Sequence, residues 1–185
     1  MIQIICGLDE VGRGSLSGPV VTAAVILNEG YNNPIITDSK KLTAKIRESL
    51  FDEICENSIF CITEKSNGHI DQHNVTYSTM CSFEESVLGL SVRPTLLKVD
   101  GNYFKTNLPI KYECIVKGDA KEKCIGAASI IAKVYRDRLM KNLHVDFPEY
   151  KWDTNVGYGT RAHIEAIKNY GLTKYHRKSF CHEME

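Results

Sequence analysis

No apolar run in this 185-residue sequence reaches the ~18 residues that a membrane-spanning helix requires, which argues against a helical membrane protein. Residues 1–8 also lack the basic start and long apolar stretch of a signal peptide, so a soluble, cytoplasmic protein is expected. Excess charge of either sign is missing: Lys+Arg and Asp+Glu number 23 each. That excludes global attraction to a polyanion, and any nucleic-acid contact has to come from local clusters. Paired cysteines are missing as well. The seven, at positions 6, 55, 61, 81, 114, 124 and 181, are odd in number and contain no CxxC. This speaks against a disulfide framework or a zinc site, and for free thiols in a reducing compartment. There is no GxxxxGK[ST] and no GxGxxG after a strand, which removes the commonest nucleotide-binding loops. With no repeat, linker or low-complexity segment, the expectation is one domain over 1–185 and a monomer.

What is present is an ordinary globular balance, 43% apolar and 25% charged. Residues 2–8, rich in Ile, read as a buried strand, and residues 19–27 as a second. Residues 58–64, 95–99 and 112–116 are further strand candidates. Over 43–56, Ile46, Leu50 and Ile54 recur at four-residue steps and predict an amphipathic helix. Helices are also predicted over about 74–90, 125–143 and 160–170, the last closed by Gly171. Strands come first, strands and helices then alternate, and the last third is helical. That order predicts an α/β fold, a mixed sheet flanked by helices.

The most informative stretch is Cys6-Gly7-Leu8-Asp9-Glu10-Val11-Gly12-Arg13-Gly14. Two adjacent carboxylates close an apolar run, and a Gly-Arg-Gly turn follows. Glycines on both sides of Arg13 let backbone groups approach a ligand with no Cβ between, and the guanidinium offers a planar fork suited to phosphate. Asp100 and Asp119 follow two other predicted strands. If those strands are neighbours, Asp9, Glu10, Asp100 and Asp119 converge, and such a set suits hard divalent ions that clamp a phosphodiester. Spacing alone leaves a second reading open, in which each acid is an ordinary strand-end turn residue.

The motifs resemble the ribonuclease HII (type 2 ribonuclease H) family through nearly the whole chain. They are Gly-Leu-Asp-Glu-Val-Gly-Arg-Gly (7–14), Gly-Pro-Val-Val-Thr-Ala-Ala-Val-Ile-Leu (18–27), Asp-Ser-Lys-Lys-Leu (38–42), Val-Asp-Gly-Asn (99–102) and Val-Lys-Gly-Asp (116–119), followed by Ala-Ala-Ser-Ile-Ile-Ala-Lys-Val-Tyr-Arg-Asp-Arg (127–138), Gly-Tyr-Gly-Thr (157–160) and His-Arg-Lys-Ser-Phe (176–180). The related HIII branch usually has an extra N-terminal domain and lacks Gly-Arg-Gly, so Gly12-Arg13-Gly14 favours HII. Two small departures are Ser15 where proline is usual and Lys98-Val99 in place of Leu-Val.

The resemblance implies a ribonuclease H-like sheet with a helical, substrate-binding extension over about 144–185. It implies endonucleolytic hydrolysis of the RNA strand in RNA–DNA hybrids and incision at single ribonucleotides in duplex DNA, leaving 5′-phosphate and 3′-hydroxyl ends. Such an activity serves ribonucleotide removal in DNA replication and repair. Carried over by matching motif, Asp9, Glu10, Asp100 and Asp119 are the catalytic acids that bind two Mn²⁺ or Mg²⁺ ions. Gly12, Arg13 and Gly14 contact the ribonucleotide near its 2′-hydroxyl, and Tyr158 stacks on the sugar that follows. Lys40, Lys41 and Arg177, inside matched blocks, are expected at substrate phosphates. An integrase-like or resolvase-like nuclease on the same sheet is the nearest rival, because fold alone does not separate these activities.

Overall fold

The computed structural model describes residues 3–182. Its centre is a five-stranded sheet made of β1 (Ile5–Val11), β2 (Val20–Leu27), β3 (Ser58–Lys65), β4 (Leu96–Asp100) and β5 (Lys111–Ile115), in the order β3-β2-β1-β4-β5. The first three are antiparallel neighbours, whereas β4 pairs parallel with β1 and β5 parallel with β4. This is the mixed sheet that the element order predicts. The helices are α1 (Ala44–Glu56), α2 (Asn67–His73), α3 (Val75–Leu88), α4 (Lys123–Asp146), α5 (Trp152–Asn155), α6 (Arg161–Tyr170) and α7 (Lys178–Cys181).

β2 shows why its sequence does not alternate. Val21, Ala23 and Val25 pack with Leu50 and Ile54 of α1 and with α4, while Ala24 and Ile26 pack with Phe83 and Val87 of α3 on the other face. Helices cover both sides, so both sets of side chains are apolar. A third cluster, including Leu16, Met140, Tyr150, Trp152 and Ile167, packs the helical C-terminal part against the segment between β1 and β2. Gly7 permits a close backbone approach, since a Cβ there would lie 2.2 Å from the backbone of Cys124. The first turn of α4 therefore lies directly on β1, at the level of the acids.

Several boundaries differ from expectation for identifiable reasons. β1 runs to Val11, so Asp9 and Glu10 lie inside the strand and not after it; the predicted start at Ile2 falls outside the described residues. In α1, Ile46 is 40% exposed although Leu50 and Ile54 are buried. A four-residue step overshoots one turn by about 40°, so two such steps drift off a single face. The helix expected over about 74–90 is α3, and the unanticipated α2 precedes it. Asn74 separates them at φ 67°, and its side chain caps α3 by accepting from Tyr77 N at 3.0 Å. Thr43 and Thr160 cap α1 and α6 in the same manner.

Candidate active site

The sheet register brings the first two acids together. Leu8 stands opposite Val99 in the parallel β1–β4 pair, which sets Asp9 beside Asp100 one step further on. Leu8 and Val99 face the α3 layer, so by the two-residue period Asp9 and Asp100 share the opposite, α4-covered face. Glu10 then points to the α3 side. Asp119 comes from a short 3₁₀ turn, Gly118–Ala120, after β5. That turn is tied to β4, because Gly118 N–H donates to Asp100 Oδ1 at 2.7 Å.

Three adjoining clefts meet at Asp100. One of about 270 Å³ is lined by Asp9, Glu10, Asp100, Ser39, Lys40, Ser129, Lys133 and Tyr158. The next joins Asp100 to Asp119, Asp38, Lys40, Lys41 and Lys117. The third joins Asp100 to Glu10, Arg13 and Tyr103. A larger cavity, about 740 Å³ between α3 and the 103–107 loop, contains none of the four acids, so size does not locate the chemistry.

The electrostatics are those of crowded carboxylates. Asp9 is only 6% exposed, and its carboxyl is pushed well above the usual range by burial first, then by Glu10, with Asp100 adding to it. Glu10 is raised by burial and by Asp100 against the pull of Arg13 and Lys40, and Arg13 Nη1 bonds its Oε1 at 3.2 Å. Asp119 is raised by burial, by Asp100 and by Asp38. Two groups favour ionised Asp9: the Glu10 N–H, donating to Oδ1 at 2.7 Å, and the Ser129 hydroxyl, itself 2.9 Å from Ser39 Oγ. Clustered oxygen donors that each raise another's proton affinity are relieved by a divalent cation, and hard ions take such ligands. The donor set therefore fits the expected metal in its chemistry. As placed, no three His, Cys, Asp or Glu side chains among the described residues form a finished ligand set, so binding requires the carboxylates to turn toward the ion.

The remaining predicted residues divide into two groups. Lys40 and Tyr158 line the Asp9 cleft, Lys41 lines the Asp119 cleft, and Arg13 and Gly14 are exposed on the turn after β1. Arg177 does not stand where a phosphate contact requires. It is 0% exposed, and its guanidinium donates to Gly18 O (3.0 Å), Arg13 O (2.7 Å) and Gly12 O (2.7 Å). Each of its three nitrogens donates to a backbone carbonyl, two in the Gly-Arg-Gly loop and one at Gly18, which corrects the expected direct contact. Gly12 also has a structural duty, for it sits at φ +89° with Arg136 Nε 2.2 Å from where a Cβ would lie. Ser39 and Ser129 also line the main cleft, beside Lys133; both serines lie in a quoted motif, and no charge pattern marks them.

A family model described as Ribonuclease HII matches residues 6–183. The chain is 46% identical over 179 residues to the ribonuclease HII of Pelagibacter ubique (strain HTCC1062), covering 97% of this chain and 96% of the relative. It is 48% identical over 180 residues to that of Burkholderia thailandensis, covering 97% and 84%. Its fold is similar to the crystal structure of ribonuclease H2 from Pyrococcus horikoshii OT3, with a TM-score of 0.84 at 25% identity, covering 98% of this chain and 96% of that one. Asp9 and Asp100 set side by side by the sheet register, together with these matches, establish that the chain belongs to the ribonuclease HII family of metal-dependent endoribonucleases.

Proposed function

We propose that this protein incises the RNA strand of RNA–DNA hybrids, and duplex DNA at single embedded ribonucleotides, at the cleft where Asp9, Glu10, Asp100 and Asp119 meet. The observation that carries this is the register itself, which sets Asp9 beside Asp100 on one face while Gly118 N–H anchors the Asp119 turn to Asp100. The four carboxylates hold two Mg²⁺ or Mn²⁺ ions; when bound, such ions lower the pKa of an attacking water and stabilise the leaving 3′-oxygen. The products carry 5′-phosphate and 3′-hydroxyl ends.

The chain's own residues supply recognition. Backbone groups at Gly12 and Gly14 offer a donor and an acceptor to the ribose 2′-hydroxyl, the group that separates RNA from DNA at one position. Substrates without it leave those groups unpaired, which is how a hydroxyl-reading site rejects its deoxy analogue. Tyr158, across the cleft from Asp9, takes the sugar of the following nucleotide. Lys40 and Lys41, which line the Asp119 cleft, bind substrate phosphates and add positive charge beside the acids. The C-terminal helical part from about residue 144 holds Tyr158 and braces the Gly-Arg-Gly loop, and it forms the substrate-binding portion of one domain. Free thiols at all seven cysteines suit a reducing compartment, and the protein acts there as a monomer.

The experiment is cleavage of a duplex carrying one ribonucleotide, with Mg²⁺ and Mn²⁺ compared and a chelator control. Incision 5′ to the ribonucleotide that the chelator abolishes is expected. Chelator-resistant cutting, or equal cutting of an all-DNA duplex, overturns the proposal.

A further inference from the structure

Two fully buried arginines lie under the segment that joins β1 to β2. Arg136, from the middle of α4, and Arg177, just before α7, are each 0% exposed. Arg136 donates to Pro19 O (2.9 Å), Ser17 O (3.0 Å) and Val156 O (2.8 Å), and Arg177 donates to the carbonyls of Gly12, Arg13 and Gly18. Six carbonyls, five of them from residues 12–19, are thus drawn inward by two guanidinium forks. Among the described residues, neither fork has a carboxylate hydrogen bond. The acids that act on them from a distance have other partners: Asp71 accepts from Lys178 N and Ser179 N, and Asp137 pairs with Lys133 at 2.8 Å.

Burial without an ion pair is costly for arginine, and charges held this way earn retention only through what they hydrogen-bond. Here that is one loop and one turn. Val156 precedes the Gly157-Tyr158 turn, and the Arg136 guanidinium carbon lies 5.7 Å from the Tyr158 ring centroid. The same pair of side chains therefore fixes both the Gly12–Arg13 backbone and the approach to Tyr158.

We propose that Arg136 and Arg177 are positioning residues for ribonucleotide recognition: by binding the loop carbonyls from beneath, they leave the outer backbone of the Gly-Arg-Gly turn, and Tyr158 opposite it, preset to meet a ribose. This rests on the reading of that turn as the 2′-hydroxyl sensor. Neither arginine touches substrate. Their fork geometry matters as well as their charge, because a lysine ammonium has no planar array to span three carbonyls.

The test measures a ratio, which a smaller folded fraction does not change. In an Asp9→Asn background, so that duplex is bound and not cut, affinities are compared for a duplex with one ribonucleotide and for the all-DNA duplex. Three further changes are added singly: Arg177→Gln, Arg177→Lys and Ile167→Ala, the last removing core volume from the same C-terminal cluster. Both arginine variants are expected to lower the ribo-to-deoxy preference by about tenfold, the worth of one recognition hydrogen bond, with all-DNA affinity unchanged. Ile167→Ala is expected to lower the melting temperature and keep the preference. Preference retained in either folded arginine variant, or lost equally in Ile167→Ala, overturns the positioning role. Should Arg177→Gln not fold, the lysine variant decides alone; should neither fold, the pair is structural and the inference is wrong. A background protein with no preference for the ribonucleotide duplex fails earlier, at the sensor reading itself.

Discussion

Gly12→Ala and Gly14→Ala separate two duties that one motif combines. At Gly12 a methyl group would lie 2.2 Å from Arg136 Nε, and the residue would have to hold φ +89°. The left-handed backbone costs an L-residue about 1–2 kcal/mol. Displacing the guanidinium breaks at least one charge-assisted bond to a buried carbonyl, about 1.5–3 kcal/mol more. The sum is about 3–5 kcal/mol, and in a domain of this size a loss of 1 kcal/mol lowers Tm by about 2–4 °C. Gly12→Ala should therefore melt roughly 10 °C lower. At Gly14 a methyl meets nothing within 4 Å and no positive φ is required, so stability should move by no more than about 0.5 kcal/mol. On the proposed sensor role, Gly14→Ala should nevertheless lose about tenfold or more of incision at a single ribonucleotide. Thermal melts and a cleavage assay on the same preparations decide the matter. Equal melting temperatures for the two variants would refute the packing argument, and full activity in folded Gly14→Ala would refute the sensor.

Further outcomes follow from the same geometry. Asp9→Asn should abolish hydrolysis and keep duplex binding. Because burial raises the Asp9 carboxyl pKa, its ionised form loses stability as pH rises through that value, so metal-free Asp9→Asn should melt higher than the parent at pH 8, with the gain fading toward pH 4. An unchanged difference across pH would contradict the assignment. Tyr158→Ala should hurt incision at an isolated ribonucleotide more than cleavage within a long hybrid; equal losses count against a sugar platform. His176, 1% exposed, is pushed down to about 4 by burial and by His163. It contributes stability that is full above the ordinary histidine range near 6.5 and lost as pH falls toward 4, about 3 kcal/mol in all. An NMR titration should find its ring neutral at pH 5.5, and protonation midway near 6.5 would contradict the network.

That network also orders protons in one direction. Trp152 Nε1–H donates to His163 Nε2 at 3.1 Å, which leaves His163 Nδ1–H to donate to Tyr158 O at 3.0 Å. His176 Nδ1 accepts from Thr173 N at 2.9 Å, so its Nε2–H faces His163 Nε2 at 3.0 Å. Every ring nitrogen is satisfied in the neutral state. A proton added at His163 Nε2 faces two donors, Trp152 Nε1–H and His176 Nε2–H, which gives the acid sensitivity a geometric cause.

Much of this fold was legible because burial writes itself into pattern. The unbroken Val-Val-Thr-Ala-Ala-Val-Ile-Leu of β2 announces two covered faces, and the Ala-rich run of α4 announces a helix packed close to a sheet. The acids were legible as a set only with the family motifs beside them. Nothing local distinguishes Asp100-Gly101 from a common turn, and only the β1–β4 register brings it to Asp9. α2 was missed because it has seven residues and a glycine, too short for a periodic signal. Arg136 and Arg177 were illegible for a different reason. An arginine in sequence is read as solvated or as a phosphate ligand, whereas these two satisfy backbone carbonyls from distant segments, and such partners leave no trace in composition or spacing.

The central claim is that four carboxylates from separate parts of the chain hold divalent ions in one cleft. Anomalous scattering from crystals soaked in Mn²⁺ tests it most directly. Density for two ions bounded by Asp9, Glu10, Asp100 and Asp119, with the carboxylates turned inward, is the predicted result; manganese bound elsewhere, with those four side chains unmoved, would contradict it.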